Sequence, residues 1–136
     1  MLTTEQRKQA HYEIWTWCGR NPEKLKSDWP GLNNYDQADY YDVSTCFACV
    51  EARELRNYFP YDGNFCHYCP IDWGRINDKF CYTTFCYTTD TLFDLYNVSY
   101  SLYKSYIDDD IHEEQIQKIL FKRSIIAFII ANKWRH

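Results

Sequence analysis

The stretch CFACVEARELRNYFPYDGNFCHYC, residues 46–69, decides how the middle of this chain folds, because it carries two Cys-x-x-Cys pairs separated by 16 residues. Cys46 and Cys49 form the first pair, and Cys66 and Cys69 form the second. A two-residue gap lets both thiolates of a pair bind one metal ion from a single tight turn, and two such turns complete a tetrahedron. The spacing therefore predicts a structural Zn²⁺ site with four sulfur ligands.

Other uses of the cysteines stay open beside zinc: a redox-active Cys-x-x-Cys, disulfides, or unliganded thiols. A thioredoxin-like motif is expected at the end of a strand in a βαβ unit, and neither pair has that context. Of the remaining cysteines, Cys18 is expected to be a small buried side chain on the first helix, whereas Cys81 or Cys86 could replace a ligand.

Composition indicates a packed, mainly α-helical protein of one domain, residues 1–136. Hydrophobic residues make up 46% of the chain and charged residues 25%, while glycine and proline are only four each. The net charge of −4 argues against a surface that attracts phosphate throughout, so nucleic acid is not the first expectation. The chain opens MLTTEQRKQAHYE without a basic and apolar leader, which predicts a cytoplasmic protein with reduced thiols.

The N-terminal part is expected to be helical. Thr3 and Gln6 have the spacing of a capping box, which predicts a helix over 4–18 with Gly19 as its left-handed C-cap. A second short helix is predicted from an N-cap at Asn21 to a stop before Pro30, and the acidic and aromatic residues that follow, 31–45, are expected to form a loop.

The middle of the chain, 46–86, is expected to be an irregular or short-β zinc knuckle. One short helix is predicted at 50–59, and the β-branched and aromatic residues of 71–89 permit a short hairpin.

A helical hairpin is predicted at the C-terminus, over 89–135, and it is expected to supply the main core. The acidic run at 108–110 separates its helices, and Asp110 with Glu113 resembles a capping box for the second. The run SIIAFIIA, 124–131, is too short to cross a bilayer and is read as buried helix, so no membrane association is expected. The predicted core stripes are Leu92, Leu95, Tyr96, Ser99, Leu102, Tyr103 and Tyr106 on the first helix, and Ile116, Ile119, Leu120, Ile126, Ala127, Ile130 and Trp134 on the second.

No pattern of catalytic residues stands out in the sequence. The four histidines are scattered, a four-sulfur site has no open coordination position for water, and there is no glycine-rich phosphate loop. We therefore expect a protein that binds rather than catalyses.

The segments EIWTWCGRNP, KSDWPG, CFACVEA and CHYCPIDWG together resemble a group of small, poorly characterised zinc-knuckle proteins of bacteriophages and prophages of low-GC Gram-positive bacteria. The resemblance covers roughly residues 11–86 and brings no assigned activity. It implies that the four knuckle cysteines are metal ligands. It also implies a framework role for Trp15, Trp17, Trp29, Pro30, Pro70 and Trp73.

Two functional hypotheses follow. The first is a protein-binding domain, such as a phage-encoded inhibitor of a host antiviral defence protein. Its expected partner surface is the stretch YDQADYYD, although such a stretch can also be an ordinary solvated loop. The alternative is nucleic-acid binding by basic and aromatic side chains near the knuckles, and apolar surface left over on the last helices could support a homodimer. The partner residues predicted by the first hypothesis are Tyr35, Asp36, Asp39, Tyr40, Tyr41 and Asp42.

Overall fold

The computed structural model describes residues 2–36, 39–40, 46–58, 70–71, 92–109 and 112–134. Within these ranges the chain is mainly helical, as predicted, and an isolated antiparallel bridge joins Ile71 to Trp134. The hairpin was predicted over 71–89, and all of it beyond Ile71 lies outside the described residues, as does most of the zinc knuckle. The helices are α1 (Thr4–Arg20), α2 (Phe47–Tyr58), α3 (Leu92–Asp109) and α4 (Glu113–Ala131), with two short 3-10 helices at Lys26–Asp28 and Pro30–Asn34.

Helix α1 begins with the predicted capping box. The Thr3 hydroxyl accepts from the Gln6 amide at 3.2 Å, and the Gln6 side chain accepts from the Thr3 amide at 2.8 Å. The expected C-cap at Gly19 is wrong, because the helix continues to Arg20. A Cβ at Gly19 would lie 2.6 Å from the Phe128 ring, so the glycine is needed for the close approach of α4.

The predicted helix after Asn21 does not form, and two 3-10 helices take its place. The Pro22 carbonyl oxygen accepts a hydrogen bond from Arg123 Nε at 2.7 Å. A helix starting at Pro22 would instead use that carbonyl for its own first turn. A tertiary hydrogen bond therefore competes with the local helix signal and prevails.

The C-terminal hairpin is present, with shorter helices than predicted. Helix α3 begins at Leu92, and α4 begins at Glu113 with His112 as its N-cap. The Ile116 amide donates to the His112 carbonyl oxygen at 2.9 Å, and no side chain caps this end. The expected start at Asp110 is therefore two residues too early.

The main core is not inside the hairpin alone, because α4 packs against both α1 and α3 while α1 also packs against α2. On α4, Ala127, Ile130 and Trp134 are buried as predicted, and on α3, Tyr96 and Tyr103 are buried. The prediction fails for Leu95 and Leu102, which are about half exposed. No helix among the described residues combines the length and the apolar character that a membrane span requires.

Arg123 connects three segments from inside the core, where its side chain is only 1% exposed. Besides the Pro22 carbonyl, its guanidinium donates to the Tyr96 carbonyl oxygen at 2.5 Å and to the Ser99 hydroxyl at 3.1 Å. The same group lies 3.9 Å from the Tyr96 ring centroid, within cation–π range. One side chain thus joins α4 to α3 and to the segment after α1.

His11 fixes α1 against the end of α4. Its Nε2 lies 2.9 Å from the Ile130 carbonyl oxygen, and since a carbonyl only accepts, Nε2 carries the proton. The ring is 3% exposed and meets Trp134 edge-on, with 5.6 Å between the ring centroids. Burial lowers the pKa of His11 to about 4, and the Lys26 charge contributes to the same direction.

We expect acid to destabilise the fold through His11. Between pH 6.5 and 4 the unfolded chain binds a proton that the folded chain does not, so stability is present above this window and falls as the pH drops through it. The full effect is about 3 kcal/mol. Urea unfolding of the wild type and of His11→Gln at pH 7 and pH 4 measures it. Equal pH-dependent losses in the two proteins would contradict the assignment.

Candidate metal site and partner surface

The first cysteine pair lies at the N-terminal end of α2. The helix begins at Phe47, so the two residues between Cys46 and Cys49 form its first turn, three residues earlier than the predicted start at 50. The Cys49 amide donates to the Cys46 sulfur at 3.1 Å, and Cys49 is 4% exposed. The two sulfur atoms face each other as a disulfide pair, with 5.3 Å between the Cα atoms. Both sulfurs therefore point to one place.

In the structure the two sulfurs are bonded to each other, so the predicted four-sulfur metal site remains a prediction. In the reduced pair, the N-terminal end of the helix and the backbone amide that donates to sulfur would favour the thiolates that metal binding requires. The second pair, Cys66 and Cys69, lies outside the described residues, as do Cys81 and Cys86. Among the residues that the structure does describe, no three His, Cys, Asp or Glu side chains come together as a metal-binding group.

Ile71, which follows Cys69 by two residues, belongs to the same buried cluster as Cys49 and is 1% exposed. An isolated antiparallel bridge joins Ile71 to Trp134, three residues beyond the end of α4.

A buried ion-pair cluster fixes α2 to α1 one turn beyond the cysteines. Arg7, 2% exposed, donates to Glu51 at 2.8 Å and makes a two-point contact with Glu54, both distances 2.7 Å. The Thr4 hydroxyl donates to the other Glu51 oxygen at 2.7 Å. Burial alone would lower the pKa of Arg7, but the hydrogen bonds that its guanidinium donates to the Glu51 and Glu54 carboxylates raise this pKa overall. The same contact with Arg7 lowers the pKa of Glu54. We call these four residues the Arg7 clamp.

Sequence reasoning missed the Arg7 clamp, although a signal was present. Arg7 precedes Ala10, His11 and Ile14 at helical spacing, so it shares their inward face. Glu51 and Glu54 are three residues apart and therefore lie on one side of α2. A basic residue on a core-facing stripe and an acidic pair on another helix together suggest a buried ion pair.

Loss of the Arg7 guanidinium should destabilise the fold strongly. In Arg7→Met the Glu51 carboxylate stays buried without its cationic partner, which costs about 3–5 kcal/mol. Chemical unfolding followed by circular dichroism measures the loss. As a matched control, Glu54→Gln changes a carboxylate that is 31% exposed and should cost less than about 1 kcal/mol. Similar losses in the two variants would show that burial of the charge is not the cause.

The predicted partner stretch divides into inward aromatics and outward acids. Tyr35 and Tyr40 are partly buried, and their ring centroids lie 5.0 Å and 5.7 Å from that of Phe47, at the start of α2. Asp36 is exposed, and its amide donates to the Asp39 carboxylate at 2.9 Å, which forms a local turn. Tyr41 and Asp42, the other predicted partner residues, lie outside the described residues.

Cys18 is the free cysteine among the described residues, and it is fully buried as predicted. Burial raises the pKa of its thiol, even though Lys26 and Arg123 act in the opposite direction. A neutral thiol in a closed core is a poor nucleophile, so this position contributes packing.

The framework residues implied by the resemblance differ in burial. Trp15 is 2% exposed and contacts Tyr96 edge-on, and Pro70 is buried. Trp17 and Trp29 are partly buried against the core, whereas Pro30 is exposed. Trp73 lies outside the described residues.

The chain matches no protein-family model, no curated protein and no solved structure. The resemblance to phage zinc-knuckle proteins therefore stays a prediction, together with the ligand set that it implies.

Proposed function

We propose that this chain is a zinc-stapled protein-binding domain that acts without catalysis. The observation that carries the proposal is the convergence of the Cys46 and Cys49 sulfurs at the first turn of α2, with the Cys49 amide donating to sulfur. A second pair follows at the spacing of a zinc site, and Ile71, two residues after it in the sequence, belongs to the same buried cluster as Cys49.

A structural role for the metal follows from the chemistry of the ligands. Four thiolates fill the coordination sphere of Zn²⁺ and leave no position for a reactive water. Metal binding would hold the chain between α2 and Ile71 in place, so the binding free energy would add to the stability of this part of the fold. The disulfide within the first pair is the competing arrangement. With that disulfide in place, Cys46 and Cys49 could not share a metal ion with Cys66 and Cys69.

Protein binding is supported by the surface of the described helices. Leu95 and Leu102 are each about half exposed on α3, although the predicted buried stripe includes both. Asp36, exposed, and Asp39, partly buried, supply negative charge before α2. Exposed apolar side chains are suited to the centre of a protein interface, and polar or charged ones to its rim. The finer proposal, inhibition of a host defence protein by a phage factor, rests on the resemblance.

Zinc content distinguishes a metal site formed by the two cysteine pairs from a disulfide within the first pair. Protein purified under reducing conditions should contain one zinc per chain, and Cys49→Ser should lose it, whereas Cys18→Ala should retain it because Cys18 is a buried free thiol outside both Cys-x-x-Cys pairs. Elemental analysis with native mass spectrometry measures the ratio.

Alkylation of the thiols distinguishes a zinc site from a disulfide between Cys46 and Cys49. After denaturation with a chelator and without reductant, a zinc protein alkylates all seven cysteines, while a Cys46–Cys49 disulfide protects two of them. Metal-free protein with a retained fold and two protected thiols would overturn the staple.

The acidic turn can be tested without disturbing the core. Asp36→Asn with Asp39→Asn removes two charges and keeps the side-chain oxygen that accepts from the Asp36 amide. We expect capture of a host protein partner to weaken about fivefold to tenfold, mainly through slower association.

A charge-matched control uses Glu13→Gln with Glu23→Gln, since both glutamates are exposed and lie outside the turn. Titration of the captured partner by interferometry compares the two double variants. Equal weakening would mean that net charge matters rather than this turn. Nucleic acid as the captured species would favour the alternative function.

A further inference from the structure

Helix α4 carries an apolar seam that stays partly exposed after the helix packs on α1 and α3, and at Phe128 the ring also touches Gly19 of α1. Phe121, Ile125 and Phe128 are 67%, 42% and 39% exposed, and Asn132 continues the series at an exposed position. Their spacing alternates four, three and four residues, which is the a/d repeat of a coiled coil. Ile129, 40% exposed, flanks this seam.

The opposite side of the same helix is buried against α1 and α3. Arg123, Ala127 and Ile130 point into the core. The C-terminal half of α4 is therefore apolar nearly all round, and a helix of that kind is normally covered on every side. A shallow groove of about 500 Å³ runs along its open side, lined by Ile125, Phe128, Ile129, Asn132 and Lys133.

We propose that a second copy of this chain covers the seam, with the two α4 helices antiparallel about a two-fold axis. Such an interface is isologous, so one patch serves both copies and no other partner surface is required. At its exposed fraction, Phe121 alone offers about 130 Å² of apolar surface. The four apolar side chains together offer roughly 300–400 Å²; they are Phe121, Ile125, Phe128 and Ile129. A standard interface buries about 800 Å² on each side, a little more than half of it apolar, so the seam has the area for the centre of a dimer.

Charge selects the antiparallel direction and the register. The first turn of α4 is acidic, with Glu113 and Glu114, whereas Lys133 follows its last turn. A parallel pair would place the acidic turns side by side, which is unfavourable. With the two-fold axis between Phe121 and Ile125, these two side chains face each other across the interface and nearly the whole helix is overlapped.

The same register gives the polar ends of the seam suitable partners. Phe128 of one copy lies opposite Lys118 of the other, whose alkyl stem can cover the ring. Asn132 lies opposite Glu114 of the second copy, and its amide can donate to that carboxylate, which already pairs with Lys118 in its own helix at 3.3 Å. This inference does not involve the cysteines or the acidic turn, so it can fail or succeed independently of the proposed function.

The direct test is the solution mass over a range of concentration. Sedimentation equilibrium from about 1 µM to 1 mM should show a reversible change from 16.5 kDa to twice that mass. Ile125→Glu should weaken the dimer at least about 100-fold, because each copy would bury an unpaired carboxylate against Phe121 of the other. The matched control is Val98→Glu on α3, where the wild-type side chain is 50% exposed, and it should leave the dimer unchanged.

A monomer at every concentration would overturn the proposal, as would a dimer that Ile125→Glu leaves intact or that Val98→Glu disrupts equally. Circular dichroism confirms that each variant is folded. Phe121→Ser, at the most exposed position of the seam, serves as the second variant if Ile125→Glu unfolds.

The register has its own test at low salt. Asn132→Glu should weaken the dimer about threefold to fivefold, and adding Glu114→Lys should restore it. Restoration supports the antiparallel register. Further weakening in the double variant would overturn it, since those charges would then not face each other.

Discussion

The buried contact of Arg7 with Glu51 and Glu54 is the interaction on which the arrangement of the functional region depends. Helix α2 has 12 residues and would be marginal on its own, so tertiary contacts must supply its stability. The Arg7 clamp provides them by fixing one side of α2 to α1. Helix α1 is in turn fixed to α4 by His11 and by the close approach at Gly19. The orientation of the Cys46 and Cys49 turn therefore follows from side chains that lie on a different helix.

The helical character of the chain and the cysteine motif could be predicted from sequence because both depend on local patterns. The capping box at Thr3 and Gln6 uses residues three apart, and the spacing of the cysteine pairs is read directly. Burial of Arg7, His11 and Arg123 could not be predicted in the same way. Charged residues are usually placed on the surface, and the hydrogen-bond partners of these three lie more than 20 residues away in the chain.

The errors at helix ends and on helix faces have the same physical origin. Gly19 looked like a cap because glycine commonly ends helices, yet its function here is to admit the Phe128 ring. The segment at 21–29 looked helical, but Arg123 uses the Pro22 carbonyl. Leu95 and Leu102 looked buried because their period is correct, while among the described side chains of that helix the buried ones are Tyr96 and Tyr103. A periodic stripe gives the direction of a helix face and not the width of the surface that covers it.

The relation between the cysteine turn and the Arg7 clamp suggests how a metal would act on this fold. Helix α2 is held at two places: its first turn by the cysteine pair, and its next turn by Glu51 and Glu54. The second attachment uses no sulfur, so α1, α2 and α4 have a stabilising network of their own. A metal bound by both pairs would add a constraint between α2 and Ile71, which closes a chain segment of about 20 residues. Closing a loop of that length restricts the unfolded chain, and the benefit is therefore concentrated in the segment between the pairs. The staple would thus position that segment on a helical frame that already exists.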